Sequence, residues 1–258
     1  MTRTAILATT LLLASIVAAG CDSSAPPRPE LTDPRAIIAA AAANAAAAPG
    51  VHVDLSVDGS LAVDLLGTGA GAGAPVDLSG TTASADIAIA TGDARITFAI
   101  ASAIRGDLRS VDGTVYLKTT LTGARYQVQE GAPVIPPDAI PAALTTLVEL
   151  LDEPGLEPVK EADVECAGGT CYRVALTVGL DDLATLGVTV PAGPPIDLAG
   201  AAVDLTIDVT RDTNDLAGLK AIIDQADGEA LTLVATFTKW DAEVIVEAPP
   251  ADEVAPAG

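Results

Sequence analysis

The chain has 258 residues, enough for one large domain or two small ones. Its 35 acidic residues against 13 lysines and arginines give a net charge of −22, and no basic run interrupts it, which argues against nucleic-acid binding. Half of the residues are hydrophobic, too large a fraction for intrinsic disorder, whereas one histidine and three cysteines leave little material for catalytic or metal chemistry.

The N-terminus, residues 1–20, has the features of an export signal. Positions 5–17 form an apolar stretch that is short for a transmembrane helix. Cys21 follows Ala18-Ala19-Gly20, an order that resembles a bacterial lipobox, in which the cysteine thiol is diacylated and becomes the new N-terminus. The alternative is an ordinary secretory signal with a coincidental cysteine. The polar, proline-rich segment 21–31 predicts a tether. We expect a lipid-anchored protein of the bacterial cell envelope, on the outer face of the cytoplasmic membrane or the periplasmic side.

A single domain is predicted over 32–248, followed by a flexible, proline- and alanine-rich tail at 249–258. Capping residues and a proline open an alanine-rich helix at 36–48. A second helix is predicted at 140–151, where apolar residues recur with helical spacing, and a short third helix at 181–187.

Strands are predicted along most of the remaining chain, because apolar and polar residues alternate there with a period of two. This alternation favours a largely antiparallel sheet with one wet and one sheltered face. Asp58-Gly59 and Asp112-Gly113 predict hairpin turns. Residues 216–224 fit a helix or a strand by periodicity alone. The predicted strands contain residues 51–57, 61–65, 85–89, 96–100, 115–119, 172–178, 203–209, 231–237 and 244–246.

Cys166 and Cys171 enclose a Gly-Gly turn between two strand-like runs. In an exported protein such a pair favours a local disulfide over a metal site. A zinc site would need two further ligands, and a redox motif would have two intervening residues instead of four. We therefore expect a structural disulfide across a hairpin and no metal site.

Three other segments invite a chemical interpretation, and each has a simpler one. The glycine-rich segment 67–73 lacks the lysine of a phosphate loop and a following helix, which favours a flexible loop. His52 lies beside Asp54 on the polar face of its strand without a nucleophile motif, which favours a surface histidine. The oxygen-rich segment 212–215 lacks the glycine and distal glutamate of a calcium loop. We expect no enzyme activity and no cofactor.

The order of these features resembles the LppX/LprG-type bacterial lipoproteins, which look like relatives of the periplasmic carrier LolA. The most specific matches are Val-Asp-Gly-Thr-Val-Tyr-Leu-Lys at 111–118, Thr122-Gly123, and the closing segment 238–249. The resemblance implies an α+β fold, a strongly curved antiparallel β half-barrel with helices covering the concave face, and a strand at 216–224. It also implies an apolar cavity between sheet and helices that holds lipid acyl chains for non-enzymatic transport.

The residues expected to line such a cavity lie on the sheltered strand face and on the second helix. Each can equally be ordinary core, because the same pattern forms a densely packed interior. The alternative function is then a structural or interaction lipoprotein with a filled core and an acidic partner-binding surface. The expected partners are the membrane, through the anchor, a lipid ligand and an unidentified envelope transporter. The expected lining residues are Ile87, Ile89, Ile96, Phe98, Ile100, Val115, Leu117, Leu144, Leu147, Leu151, Val174 and Leu176.

Overall fold

The computed structural model describes residues 29–63, 74–101, 103–129, 139–152, 155–179, 202–224 and 230–256. Every element below belongs to the unit Leu31–Gly258. The predicted export signal, Cys21, the glycine-rich segment 67–73 and the short helix at 181–187 lie outside the described residues. Within those ranges, no helix has the length and hydropathy needed to cross a membrane.

The described elements are mostly strands, with two α-helices and a 3-10 turn. The helices are α1 (Pro34–Ala47) and α2 (Ala139–Leu151), and the 3-10 turn is Ala251–Glu253. The strands are β1 (Gly50–Asp58), β2 (Ser60–Val63), β3 (Ala74–Asp77), β4 (Thr81–Ala88), β5 (Ala94–Ile100), β6 (Ile104–Val111), β7 (Thr114–Thr119), β8 (Gln127–Val128), β9 (Val159–Lys160), β10 (Val164–Cys166), β11 (Gly169–Gly179), β12 (Ala202–Thr210), β13 (Leu216–Asp224) and β14 (Leu231–Thr238).

Twelve of these strands form one antiparallel sheet in the order β10-β11-β12-β13-β14-β1-β4-β5-β6-β7-β8, with β9 paired to β11. The described strands therefore follow an open path, and β2 and β3 form a separate pair. The α+β class and the helix-covered antiparallel half-barrel expected from the sequence are confirmed. So is the strand at 216–224, which is β13.

The strand register separates the side chains into two faces, because successive residues of a strand point to opposite sides. Val53 lies opposite Ala85 on one neighbouring strand and Phe237 on the other. We call the side that carries these residues the apolar face. His52 lies opposite Asp86 and Thr238, on what we call the polar face. The period-two alternation in the sequence thus becomes a two-sided sheet.

Both helices pack on the apolar face. Asp33 caps α1 by accepting a hydrogen bond from the Arg35 backbone N–H (3.0 Å), and Pro34 occupies the first turn. Ile37 of α1 and Leu151 of α2 are fully buried in one core cluster with strand residues of β11 and β12. The Arg35 side chain donates to the Leu151 carbonyl at 2.9 Å, joining the two helices.

Two predicted turns have different outcomes. Asp112-Gly113 does join β6 to β7, and φ is positive at both residues (49° and 75°), as a two-residue type I′ hairpin requires. Asp58-Gly59 does not pair β1 with β2, since β2 pairs with β3 and β1 pairs with β4 and β14. Gly59 is required by close packing, because a Cβ there would lie 2.3 Å from the Ala230 carbonyl oxygen.

The C-terminal segment differs from both sequence predictions made for it. Residues 244–246, predicted as a closing strand, belong to no strand. The expected flexible tail is instead bonded to the sheet edge: the Tyr126 N–H donates to Glu253 O and the Ala255 N–H donates to Tyr126 O, both at 2.8 Å. Tyr126 is buried, and its ring contacts the Arg109 and Lys118 side chains. Composition gave no signal for these backbone bonds.

The cysteine hairpin forms as predicted. Cys166 and Cys171 are joined by a disulfide between β10 and β11, with their Cα atoms 5.9 Å apart. Cys171 is fully buried, and the adjacent Tyr172 accepts a hydrogen bond from the Leu31 N–H at 3.1 Å through its hydroxyl. This hairpin therefore lies beside the start of the described domain.

Candidate functional site

The apolar face carries two continuous rows of hydrophobic side chains that cross neighbouring strands. Residues of each row lie directly opposite one another in the ladder. The first row crosses seven strands, a distance of about 29 Å at ~4.8 Å per strand. It consists of Phe98, Ala83, Leu55, Ala235, Leu219, Ile207 and Val174. The second row consists of Leu117, Leu108, Ile96, Ala85, Val53 and Phe237.

The two ends of these rows differ in exposure. On β11 and β12 the row is closed off by the helices, and Val174 and Ile207 are buried. On β1 and β4–β7 the apolar side chains keep part of their surface accessible. We call this part the open stretch, and it comprises the half-exposed residues Leu55, Ala83, Ile96, Phe98, Leu108 and Leu117. The apolar face is thus packed at one side and accessible at the other.

The structure divides the twelve expected lining residues into two groups. Seven belong to the packed region: Ile89, Leu144, Leu151, Val174 and Leu176 lie in the core cluster, and Ile87 and Leu147 pack against it. The other five lie on β5 and β7, outside that cluster: Ile96, Phe98, Ile100, Val115 and Leu117. Of these, Val115 is buried and Ile100 is 39% exposed. Lipid contact at any of the twelve stays a prediction.

Phe98 and Gly106 form a pair that sequence reasoning missed. They lie opposite each other on β5 and β6, and a Cβ at position 106 would be only 2.2 Å from Phe98 Cζ. The phenyl ring therefore lies flat over the glycine and across the neighbouring strand. Gly106 in a strand of otherwise ordinary residues was the available signal, since a strand glycine often marks a close approach. The pair keeps the ring low on the open stretch.

Ser110 is a second residue that the pattern did not identify. It lies on the apolar face between Ala94 and Val115 and is 2% exposed. Among the described residues its hydroxyl has no hydrogen-bond partner. An unsatisfied buried hydroxyl costs about 1–3 kcal/mol. The apolar face therefore contains a buried polar defect on β6.

The polar face holds a cavity of about 520 Å³ over β14, β1, β4 and β5. Its wall is rich in short hydroxyl side chains and contains one carboxylate. The lining residues are Asp54, Leu55, Ser56, Thr82, Ala83, Ser84, Thr97, Phe98, Ala99, Val234 and Thr236. Phe98 is the one expected lining residue among them. Most of the wall belongs to the polar face, and Leu55, Ala83 and Phe98 are shared with the first row.

His52 lies beside this groove in a network that the sequence did not predict. Its Nδ1 is 2.6 Å from Asp86 Oδ1, and its Nε2 is 3.3 Å from Asp54 Oδ2 and 3.5 Å from Ser84 Oγ. The order Ser84, His52, Asp86 is that of a nucleophile, a base and an orienting acid.

Two features of the network oppose nucleophilic chemistry. The backbone N–H groups of β1 and β4 are engaged in their ladder, so they cannot stabilise an oxyanion. Asp54 also competes with Ser84 for the same imidazole nitrogen. Over the described ranges, no group of three or more His, Cys, Asp or Glu side chains is placed to hold a metal ion. The network fixes the orientation of a surface histidine.

Comparison with known proteins identifies the fold. No protein-family model and no curated protein matches the chain. Among solved structures, LprF from Mycobacterium bovis matches with a TM-score of 0.50 at 16% identity, covering 85% of this chain and 99% of that one. The lipoprotein LppX from Mycobacterium tuberculosis gives 0.37 at 15% identity, covering 83% and 97%. A LolA superfamily protein from Nitrosomonas europaea gives 0.28 at 9% identity, covering 85% and 96%. The chain has the fold of LprF, in agreement with the helix-covered antiparallel half-barrel that its sequence resemblance implied.

Proposed function

We propose that this protein is a bacterial envelope lipoprotein that binds lipid acyl chains on its apolar face and carries them without chemical change. The observation that carries the proposal is the open stretch, a set of aligned apolar side chains that the helices leave half-exposed. A contiguous run of partly accessible apolar side chains is typical of a binding site. The LprF-like fold supports the proposal.

The energetics of the apolar face suit a hydrocarbon chain. Each methylene removed from water contributes about 0.8 kcal/mol. An acyl chain that moves from a bilayer to this face exchanges one apolar environment for another, so the transfer has a small net cost. The Leu55, Ile96 and Leu108 side chains offer hydrocarbon contacts and no charge. Binding would therefore depend on chain length more than on specific polar groups.

Anchoring at Cys21 belongs to the same proposal. Diacylation of this thiol would hold the domain at the membrane, because two acyl chains give stable attachment where one gives only marginal binding. Segment 21–31 would act as the tether. The protein would then exchange lipid between the bilayer and an envelope transporter.

A pair of tryptophan substitutions on neighbouring residues of β4 tests lipid binding. Ala83 lies in the first row between Leu55 and Phe98, whereas Thr82 points to the opposite face. We expect Ala83→Trp to fill the open stretch and weaken binding of a fluorescent long-chain fatty acid about tenfold or more. Thr82→Trp should leave that binding unchanged, and both variants should keep the circular dichroism spectrum of the parent protein.

The same titration separates the carrier from its alternative. A structural lipoprotein with a filled core would bind no fatty acid, and the parent protein would then show no fluorescence change at any concentration. Equal loss of binding in both tryptophan variants would place the lipid elsewhere. Either result would contradict the proposal.

A further inference from the structure

Two neighbouring turns at one end of the sheet present large apolar side chains to solvent. Ile100 ends β5 and is 39% exposed, and Leu121, in the turn after β7, is 75% exposed. The turns are adjacent, because the Thr120 N–H donates to the Arg105 carbonyl at 2.9 Å. We call Ile100, Arg105 and Leu121 the apolar tip.

The turn that carries Leu121 is held by several hydrogen bonds. The Thr119 hydroxyl accepts from the Leu121 N–H at 3.2 Å and from the Thr122 N–H at 3.1 Å. The Thr122 hydroxyl accepts from the Thr119 N–H at 3.0 Å, and the Gly123 N–H donates to the Thr119 carbonyl. The turn that carries Leu121 is therefore already ordered. Inserting this side chain into an apolar medium costs little further conformational entropy.

The strands and turns that carry the tip are net basic in a protein that is acidic as a whole. Residues 94–129 contain five basic and two acidic residues, a net charge of +3, in a chain with a net charge of −22. Within the described ranges, the exposed Arg105 makes no ion pair. Arg125 is also exposed, but it lines a pocket together with Asp252, so we assign the main charge effect to Arg105.

The tip is also continuous with the open stretch. Ile100 lies on the same strand and the same face as Phe98 and Ile96. Leu117, in the second row, precedes the turn of Leu121 by four residues. A hydrocarbon chain that left a bilayer at the tip would therefore meet the open stretch directly.

We propose that the apolar tip docks on an anionic phospholipid bilayer, with Leu121 and Ile100 inserted among the acyl chains and Arg105 at the headgroups. This inference rests on the proposed lipid-binding function and adds the place where lipid enters. A basic residue near an anionic membrane contributes about 1 kcal/mol, roughly a fivefold change in the docked fraction. Burial of the exposed Leu121 side chain among the acyl chains adds a hydrophobic contribution to membrane binding.

Tryptophan fluorescence in the full-length, membrane-anchored protein tests this docking. Trp240, the one tryptophan of the chain, is buried and gives a constant background. We would introduce Leu121→Trp, with Val159→Trp as the control, because Val159 is also exposed but lies on β9, close to the opposite edge of the sheet. Each variant is reconstituted in vesicles of equimolar phosphatidylcholine and phosphatidylglycerol containing a spin-labelled lipid as quencher.

We expect strong quenching at position 121 and none at 159. Quenching at 121 should decrease in vesicles of phosphatidylcholine alone. Adding Arg105→Gln should lower the ratio of docked to undocked protein roughly fivefold. Absence of quenching at 121, or equal quenching at both positions, would overturn the inference. A blue shift at 121 that appears without vesicles and grows with protein concentration would assign the tip to a second copy of the chain, and would also overturn it.

The fatty-acid titration distinguishes this failure from that of the function. Leu121→Trp should bind the soluble fluorescent fatty acid as the parent protein does, since position 121 lies outside the open stretch. If fatty-acid binding persists and quenching at position 121 is absent, the docking inference is wrong and the proposed carrier function is still supported. If quenching occurs and no variant binds fatty acid, the carrier function is wrong.

Discussion

Replacing Gly106 with alanine tests the geometry of the open stretch. The new Cβ would lie 2.2 Å from Phe98 Cζ and 2.6 Å from its Cε1, whereas ordinary van der Waals contact begins at 3.4 Å. The ring edge must therefore move by more than 1 Å, which it can do only by rotating off the sheet. A cross-strand pair contributes about 0.2–1 kcal/mol, and overpacking costs up to ~3 kcal/mol. We expect a net loss of about 1 kcal/mol, because the ring can swing.

A double-mutant cycle with Phe98→Ala measures this effect. Urea unfolding of the four proteins gives the coupling free energy between the two positions. We expect Gly106→Ala to be destabilising with Phe98 present and neutral or stabilising without it. An equal cost of Gly106→Ala in both backgrounds would refute the packing of the ring over the glycine. In the single variant the raised ring should also weaken fatty-acid binding.

Three further predictions concern stability and titration. Replacing Cys166 and Cys171 together with alanine should cost about 2 kcal/mol in urea unfolding, since their bond closes a short loop, and a change near zero would contradict this. Ser110→Ala should stabilise the protein by up to ~1 kcal/mol, whereas a loss would reveal a partner for the hydroxyl. Hydrogen bonds from Ser79, first from its side chain and then from its backbone, lower the pKa of Asp77. This favours folding above the ordinary aspartate pKa, and the effect is lost as pH falls through the lowered value. Ser79→Ala should raise the pKa of Asp77 in a carboxyl NMR titration, and an unchanged pKa would contradict the role of these hydrogen bonds.

The sequence predicted the sheet because its chemistry is local. Alternating residues such as Val53 and Asp54 determine which side of a strand faces water, and Asp112-Gly113 supplies the two positive φ angles of a tight turn. Both helices were found within a few residues of their observed bounds for the same reason. These features require no knowledge of distant parts of the chain.

The site could be predicted only as a set of candidate residues. Leu117 and Leu176 look alike in sequence, yet Leu176 is buried in the core cluster and Leu117 is half-exposed, because the helices cover only part of the apolar face. The contact of Phe98 with Gly106 and the bonds of the C-terminal segment to Tyr126 depend on long-range pairing. Periodicity contains no information about such contacts.

Photo-crosslinking tests the central claim most directly. The protein would be incubated with a long-chain fatty acid that carries a diazirine on its chain, irradiated, digested and sequenced by tandem mass spectrometry. We predict that the label lies on open-stretch residues such as Leu55, Ile96 and Leu108, and is displaced by unlabelled fatty acid. Labelling confined to polar-face residues such as Ser56 and Thr97, or no displaceable label, would contradict the account.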